Sequence, residues 1–470
     1  MKKLKSYLLL NLVLVFTLSS SMSWGIQKPV TSSKNLNLES VQSKLFYDQP
    51  VSNHEVLSPS LSFIEALKTT LASHPSIESL KQTIYSNEAL STSLWQEYLP
   101  KIYGYVDAEK VLMGLPKTIG PQDKKEYFHT SVGLSTNLWD GFKNWYLKKQ
   151  TDLQVEGLGF QKAQLENELS VKLTEAYAGL YLSLEQIRLL KFTQDKEKQI
   201  LKLIEGMSRS THQELLKNLI TVKLEENEGE LLDAESRLQE QKNLFISLVG
   251  EMPAELENLQ LENLEQIEKY ILIPASVDEA LELATLQSPE YLNADKEIDI
   301  AQMGKKIEKA EYFGNLNLFF AQTQTFGNAN FSNPTFADGF IGALQYNLSL
   351  GLSTQSKIKS QEHNVASKIA AKDALAREIQ LEIKNGYVKM NQLVRANQAQ
   401  LKTFHSNSDS IKSGFANLNP QKLNIDELKT LINLLDDLEP NTMTYLGTTV
   451  EIVLAKATIA AKLGALSQLP

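Results

Sequence analysis

Few residues in this chain are spaced for chemistry of their own. The six histidines, at positions 54, 74, 129, 212, 363 and 405, are scattered, with no HxxxH or HExxH spacing to set two imidazoles around a metal ion. The absence of cysteine removes thiolate metal sites, cysteine nucleophiles, disulfides and the cysteine of a bacterial lipid anchor. Carboxylates are plentiful, but runs such as KLEENEGELLDAE (223–235) read as the charged outer face of a helix rather than as a paired acid and base. There is no phosphate-cradling glycine loop and no nucleophile elbow. A net charge of −9 also lacks the basic stripe that nucleic acid requires. The expectation is a chain that is no enzyme, with no catalytic residue, cofactor or metal and no nucleic-acid partner.

What the residue types do build is surfaces. In TSVGLSTNLWDGFKNWYLKKQ (130–150), Val132, Leu134 and Leu138 alternate with Ser131, Gly133, Ser135 and Asn137. A period of two marks a strand with one dry and one wet face. After Gly141 a helical period takes over and runs to about Glu205 through Leu165, Leu169, Ala176, Leu180, Leu184, Ile187 and Leu190. No proline interrupts this stretch, so a continuous helix would span about 95 Å at roughly 1.5 Å per residue. The turn EGMSRSTHQE (205–214) sends it back as a second helix over about 215–248.

The pattern occurs twice. SFIEALKTTLASHPSIESL from Ser62 aligns with SVDEALELATLQSPEYLNA from Ser276 at an offset of 214, matching Glu65/Glu279, Ala66/Ala280, Leu67/Leu281 and Pro75/Pro289. The identities are too few to convince by themselves, but both copies lead into the same succession. KIYGYVDAEKV (101–111) and the strand ending near 139 form a first hairpin over 101–139, and NLNLFFAQTQ with ALQYNLSLGLS a second over 315–353. In the latter Leu344, Tyr346, Leu348 and Leu350 face one way, and Gln345, Asn347 and Ser349 the other. A second long helix follows over 354–412, then the turn SGFANLNPQKLNID and a return over 426–467, interrupted at LEPNT (438–442). The repeats occupy 62–250 and 276–470, joined by a linker over 251–275.

Residues 1–25, with a lysine-rich start, an apolar run over Tyr7–Leu18 and small residues before Gly25, read as a cleaved secretory signal peptide, the alternative being a short membrane anchor. Residues 26–61 read as an extended tail, or as a segment that tunes partner choice. No later segment is apolar over the roughly 18–20 residues of a spanning helix. An exported chain of this kind is soluble outside the cytoplasm or crosses a membrane by strands. Two-faced strands of about ten residues fit a hydrocarbon layer only in a closed barrel, because every backbone group there must be paired. Four strands fall short of the roughly eight that close the smallest barrels, so three copies would share about twelve. Leu344, Tyr346, Leu348 and Leu350 would then meet outer-membrane lipid, and Gln345, Asn347 and Ser349 a wet lumen. Trp95, Tyr98, Trp139 and Trp145 cluster at the helix-side ends of the first hairpin, as a membrane-interface belt or as core aromatics of a strand–helix junction.

The residues SFIEALKTTLASHPSI…EYLP (62–100), their echo at 276–312, NLWDGFK (137–143) and GMSRSTHQELL…ISLVG (206–250) resemble the TolC-like outer-membrane efflux and export channels. The resemblance implies a mostly α fold with transmembrane β: a homotrimer with a shared barrel of about twelve strands and a long periplasmic α-helical barrel, in the outer membrane of a Gram-negative bacterium. It implies a passive exit duct for tripartite efflux or type I secretion, docking through helical tips to a periplasmic adaptor (membrane fusion) protein and an inner-membrane transporter. By the same resemblance Gly206, Met207 and Ser208 belong to an adaptor-docking tip, and Gly414, Phe415 and Asp426 to a periplasmic gate, where Asp426 could equally cap the returning helix. Lys429 and the inserted NPQKLN (419–424) depart from an acidic gate ring. Drug efflux and protein export would share this architecture. A soluble periplasmic coiled-coil adaptor is the rival reading; it accounts for the helices but not for paired, two-faced strands.

Overall fold

The computed structural model describes residues 60–110, 126–206, 211–250, 260–326, 339–348, 352–417 and 425–466, all within the unit Asn53–Pro470. The expected signal peptide and nearly all of the tail lie outside them, as do both hairpin loops.

Each repeat opens with two helices where the sequence pattern reads as one. In the first, α1 (Phe63–Ser73) and α2 (Pro75–Gln96) break at His74; in the second, α6 (Val277–Gln287) and α7 (Pro289–Ala310) break at Ser288. The cause is proline, which pushes the preceding residue out of the helical region. His74 and Ser288 accordingly take ψ of 127° and 120°. The proline then starts the next helix at a position whose N–H would have no partner anyway.

The strands are β2 (Lys101–Lys110), β3 (Glu126–Trp139), β5 (Asn315–Phe326) and β6 (Gly339–Asn347), and they form one antiparallel sheet in the order β2-β3-β5-β6. The two hairpins lie side by side, joined by the β3–β5 pairing. A second, two-residue parallel ladder joins β1 (Ser60–Leu61) to β4 (Gln260–Leu261).

The long helix α3 (Lys143–Glu205) pairs with its return α4 (Thr211–Val249), and α8 (Leu352–Asn417) with α9 (Ile425–Asp436) and α10 (Leu438–Lys462). Buried positions along α3 step by three and four, Leu169, Leu173, Ala176, Leu180, Ser183, Ile187 and Leu190, as a helix packed along one stripe requires. The interruption at 438–442 now has a cause. Pro440 offers no N–H to the carbonyl of Asp436, so the return breaks at Asp437 and restarts with the proline inside the first turn of α10.

Three buried clusters hold these elements together. The largest joins α1, α3, α4, α10 and the short α5 (Leu264–Tyr270) around Phe63, Tyr177 and Phe245. The Tyr177 ring stacks edge-on against Phe63 at 5.6 Å, and its hydroxyl accepts the Glu262 N–H at 2.8 Å, so the phenol's polar end is satisfied inside the core. Burial of each such ring stabilises by about 1.5–3 kcal/mol. A second cluster gathers Ile200, Ile204, Leu216, Ile220, Ile411, Leu428 and Leu431 where α3, α4, α8 and α9 meet near their turns. The third packs α6 against α8 and α10 through Ala280, Ile383, Tyr387 and Ile459.

Two boundaries differ from the sequence reading. Strand β6 runs over Gly339–Asn347 instead of 343–353, because its partner β5 begins at Asn315, opposite Asn347, and the ladder has nothing further to pair with. Leu348 therefore lies beyond the strand, and Ser349 and Leu350 fall outside the described residues. The helix that follows begins at Leu352 and continues to Asn417, past the 354–412 expected.

Candidate functional site

The sheet register decides which side chains share a face. Ile102 pairs with Leu134, Leu134 with Phe320, and Phe320 with Gly342; Leu316 pairs with Tyr346 and Leu318 with Leu344. One face thus carries Ile102, Val106, Val132, Leu134, Phe320, Phe340, Leu344 and Tyr346 across four strands, with Thr130, Thr136 and Gln322 as polar residues among them. The other carries Ser131, Ser135, Asn137, Asn317, Gln345 and Asn347 beside Tyr103, Tyr105 and Phe319. The apolar side is bare in the single chain: Ile102 is 81% exposed and Phe340 87%. Of the lipid-facing set read from sequence, Leu344 and Tyr346 sit on this face, and Gln345 and Asn347 on its opposite. Among the described residues β2 and β6 pair on one side only, which leaves an open backbone edge at each side of the sheet.

A bulge adds something that the alternation in the sequence does not show. The register steps between Asn137 and Trp139, so that Trp139 pairs with Leu316 and lies on the apolar face, although strict alternation would place it opposite. There its indole stacks on Tyr346 at 6.5 Å and meets Phe313 edge-on at 6.3 Å. Tyr346 donates its hydroxyl to the Phe313 carbonyl at 2.7 Å. At the helix ends flanking the first hairpin, the Trp95 ring lies 6.1 Å from that of Tyr98, and Trp145 lies 5.0 Å from Tyr146 with the Lys149 ammonium over its ring. Trp95 is 61% exposed and Trp145 is exposed as well, so these two are surface groups at the strand–helix junction, not core.

Asp140 organises the entry into α3, and sequence reading missed it as an individual. Its carboxylate is buried, accepting the Tyr98 hydroxyl at Oδ1 (2.8 Å) and the Asn144 N–H at Oδ2 (2.9 Å), while its carbonyl accepts the Lys143 N–H at 3.2 Å. Burial first, then the Asp140 hydrogen bond and charge, holds the Tyr98 phenol above its usual pKa, which keeps it a donor. Gly141 and Phe142 follow at φ 66° and 68°, a left-handed pair that turns the chain from strand into helix. The signal was present as the aspartate two residues ahead of a glycine-assisted helix start. On the second repeat Glu311 binds Lys357 at 3.2 Å and Lys143 at 3.3 Å, tying the starts of both long helices together. Lys357 foremost, and Lys143, hold its carboxyl below the usual range.

At the turns, Gly206 closes α3, its N–H bonded to the carbonyls of Lys202 and Leu203. Met207 and Ser208 lie outside the described residues. Gly414 is in the last turn of α8, where a side chain would meet Leu431 of α9 at 2.4 Å, so glycine lets the two helices touch. The neighbouring Phe415 packs on the same cluster, and the Lys196 ammonium of α3 lies 4.9 Å from its ring centre. Asp426 is exposed in the first turn of α9, where its charge suits the helix N-terminus, while the capping position itself falls outside the described residues. The structure thus gathers Gly414 and Phe415 at one end of the helices, and the four aromatics at the other.

Among the described residues no group of three or more acidic, histidine or cysteine side chains is arranged for a metal ion, and no helix is long and apolar enough to cross a membrane. By sequence the chain matches no protein-family model and no curated protein. By structure it is similar to the Neisseria gonorrhoeae MtrE outer membrane channel in its open state, at 12% identity and a TM-score of 0.65, over 86% of this chain and 89% of that one. It is similar too to the outer membrane protein VceC from Vibrio cholerae, at 13% identity and a TM-score of 0.59, over 84% and 96%. A third likeness is to CusC, solved in a study of its folding and transmembrane channel formation, at 12% identity and a TM-score of 0.65, over 88% and 95%. The chain has the fold of the TolC-like outer-membrane channels.

Proposed function

We propose that this chain is one subunit of a homotrimeric outer-membrane channel, the passive exit duct of a tripartite efflux or type I secretion system. The observation that carries the reading is the four-stranded sheet, with its largely apolar face and two open edges. In water such a face would be an aggregation hazard. In hydrocarbon it is stable once each edge pairs with a neighbouring copy and the ring closes. The long helices then extend into the periplasm. The turns at Gly206–Ser208 and around Gly414, Phe415 and Asp426 meet an adaptor and, through it, an inner-membrane transporter that supplies the energy. The aromatics Trp95, Tyr98, Trp139 and Trp145 mark the membrane's inner surface.

The test is one charge on the apolar face. Leu344 lies within β6, so Leu344→Arg places a guanidinium against lipid at a cost of about 2–4 kcal/mol per site near the midplane. The variant should vanish from the outer-membrane fraction. The opposite-face Gln345→Arg should still assemble. A soluble periplasmic adaptor would tolerate both changes and stay where it was, and that result would end the channel reading.

A further inference from the structure

Near the turn end of α3, Glu197 is completely buried, with 0% of its surface exposed. Its Oε2 accepts the Asn227 amide of α4 at 2.6 Å, while its Oε1 has no hydrogen-bond partner among the described residues. One turn earlier on the same helix face, Thr193 is also buried with an unpartnered hydroxyl. A buried carboxylate with a bare oxygen is costly as an anion and much less so as the neutral acid.

The groups around it come from two further elements. From α4, Lys223 reaches Glu226 at 2.9 Å and Asp436 at 3.5 Å, so the cation whose charge helps Glu197 is already engaged by two other carboxylates. From α9 comes Asp436 itself, the last residue before the break at Asp437. Burial foremost, with repulsion from Asp436 and Glu226 added to it, overcomes the help of Asn227 and Lys223 and pushes the Glu197 carboxyl up to about 7. Burial likewise holds the Asp436 carboxyl above its usual range, against the pull of Lys223. The cluster therefore sits where the α3–α4 pair meets α9, beside the point at which the return helix is already broken. The apolar contacts below it, Ile200 and Ile204 against Leu428, Leu431 and Leu435, are the rest of that joint.

We propose that Glu197 and Asp436 form a proton-operated joint between the α3–α4 pair and α9, closed when Glu197 is protonated and loosened about Asp437 when it ionises. The neutral acid supplies the proton that Oε1 lacks, and removes one of the three negative charges sharing Lys223. Ionisation restores the repulsion inside a buried site, and the break at Asp437 lets α9 relieve it by moving away. The sign follows from a carboxyl pKa raised in the folded state. The stabilising contribution of the neutral acid is fully present below the ordinary carboxyl range, declines as pH rises above it and is gone above about 7. On the channel reading, which this use of the joint assumes, α9 leads to the turn at Asp426, so the tips would part more readily above neutral pH than below it.

The chain has no native cysteine, so two can be introduced for spin labels without background. Lys198→Cys on α3 and Asn433→Cys on α9 are both exposed positions on either side of the joint. Pulsed electron-spin distances in the full-length protein should show one narrow population at pH 5.5 and a second, longer one at pH 8.5, with a midpoint near 7. Glu197→Gln should keep the narrow population at both pH values. Asp436→Asn, which removes a repelling charge, should move the midpoint to lower pH, and it stands as the test if the Gln variant does not fold. Distances that ignore pH, or that respond equally in the Gln variant, overturn the proposal. Because the readout is blind to conduction, an intact pH response in a protein that forms no channel would reject the channel reading alone.

Discussion

At the scale of single residues, the strand-to-helix turn carries the sharpest chemical demands. Asp140 serves three donors, two through its side chain, and neither of those two bonds survives truncation. Asp140→Ala strips the Tyr98 hydroxyl of its acceptor and the Asn144 N–H of its cap. The loss should destabilise by about 1–3 kcal/mol, the cost of leaving a buried polar group unmet plus that of a lost helix cap. Thermal unfolding of the detergent-extracted protein measures it, and Tyr98→Phe in the Asp140→Ala background should then cost little more, since the pair has already been broken. Additive losses would mean that the two residues act independently. Gly314 is a second such position, at φ 67° and ψ −166°, with any Cβ 2.2 Å from the Asn347 carbonyl. These demands were only partly legible beforehand. DGFK announces a turn, but nothing in the letters says that Tyr98, forty-two positions earlier, is the aspartate's partner. Glu197 was less legible still: in QDKEKQI it looks like any other charged surface residue, and only the approach of Asn227 and Asp436 from other helices buries it.

At the scale of elements, period and proline did most of the work. The alternation in 130–138 and 316–320 does become strands with the expected faces, and the helical stripe from Leu165 to Leu190 does become a long packed helix. Pro75 and Pro289 set their helix breaks by a local steric rule, which is why both breaks fall at matching points of the repeat. What depends on a partner was not legible: the bulge that turns Trp139 over, and the end of β6, which is set by where β5 starts. The break at Asp437 belongs between these cases, since Pro440 announces it but does not say whether the helix kinks or restarts. Pro440→Ala restores the missing N–H to the Asp436 carbonyl. Amide exchange around residues 435–441 should slow by roughly one net hydrogen bond, about 0.5–1.5 kcal/mol. Unchanged exchange would show that the contacts of Asp437, and not the proline, hold the break in place.

At the scale of the whole molecule, the open edges of β2 and β6 determine how many chains the proposed barrel would need. The four strands alternate in direction, so β6 of one chain and β2 of the next run antiparallel, as the rest of the sheet does. Edge meeting edge in this way is a head-to-tail contact between two different surfaces, which either closes into a ring or grows without limit. Roughly eight strands is the smallest common barrel, so two chains could close a filled barrel and three a wider one with room for a lumen. Engineered disulfides distinguish these outcomes. Cysteines placed on β2 at Ile102 or Val106 and on β6 at Phe340 or Leu344 can bridge only where the two Cα atoms come within about 4.4–6.8 Å across a subunit boundary. Within one chain the two edges are separated by β3 and β5, so a bridge reports on neighbouring copies. Oxidation of the membrane-embedded double variant should give a ladder on a denaturing gel that stops at three chains, with neither single-edge variant doing so. A ladder stopping at two would mean a narrow barrel filled by its own side chains, and a ladder without end an open sheet. Either would refute a trimeric duct while leaving the fold of the single chain intact.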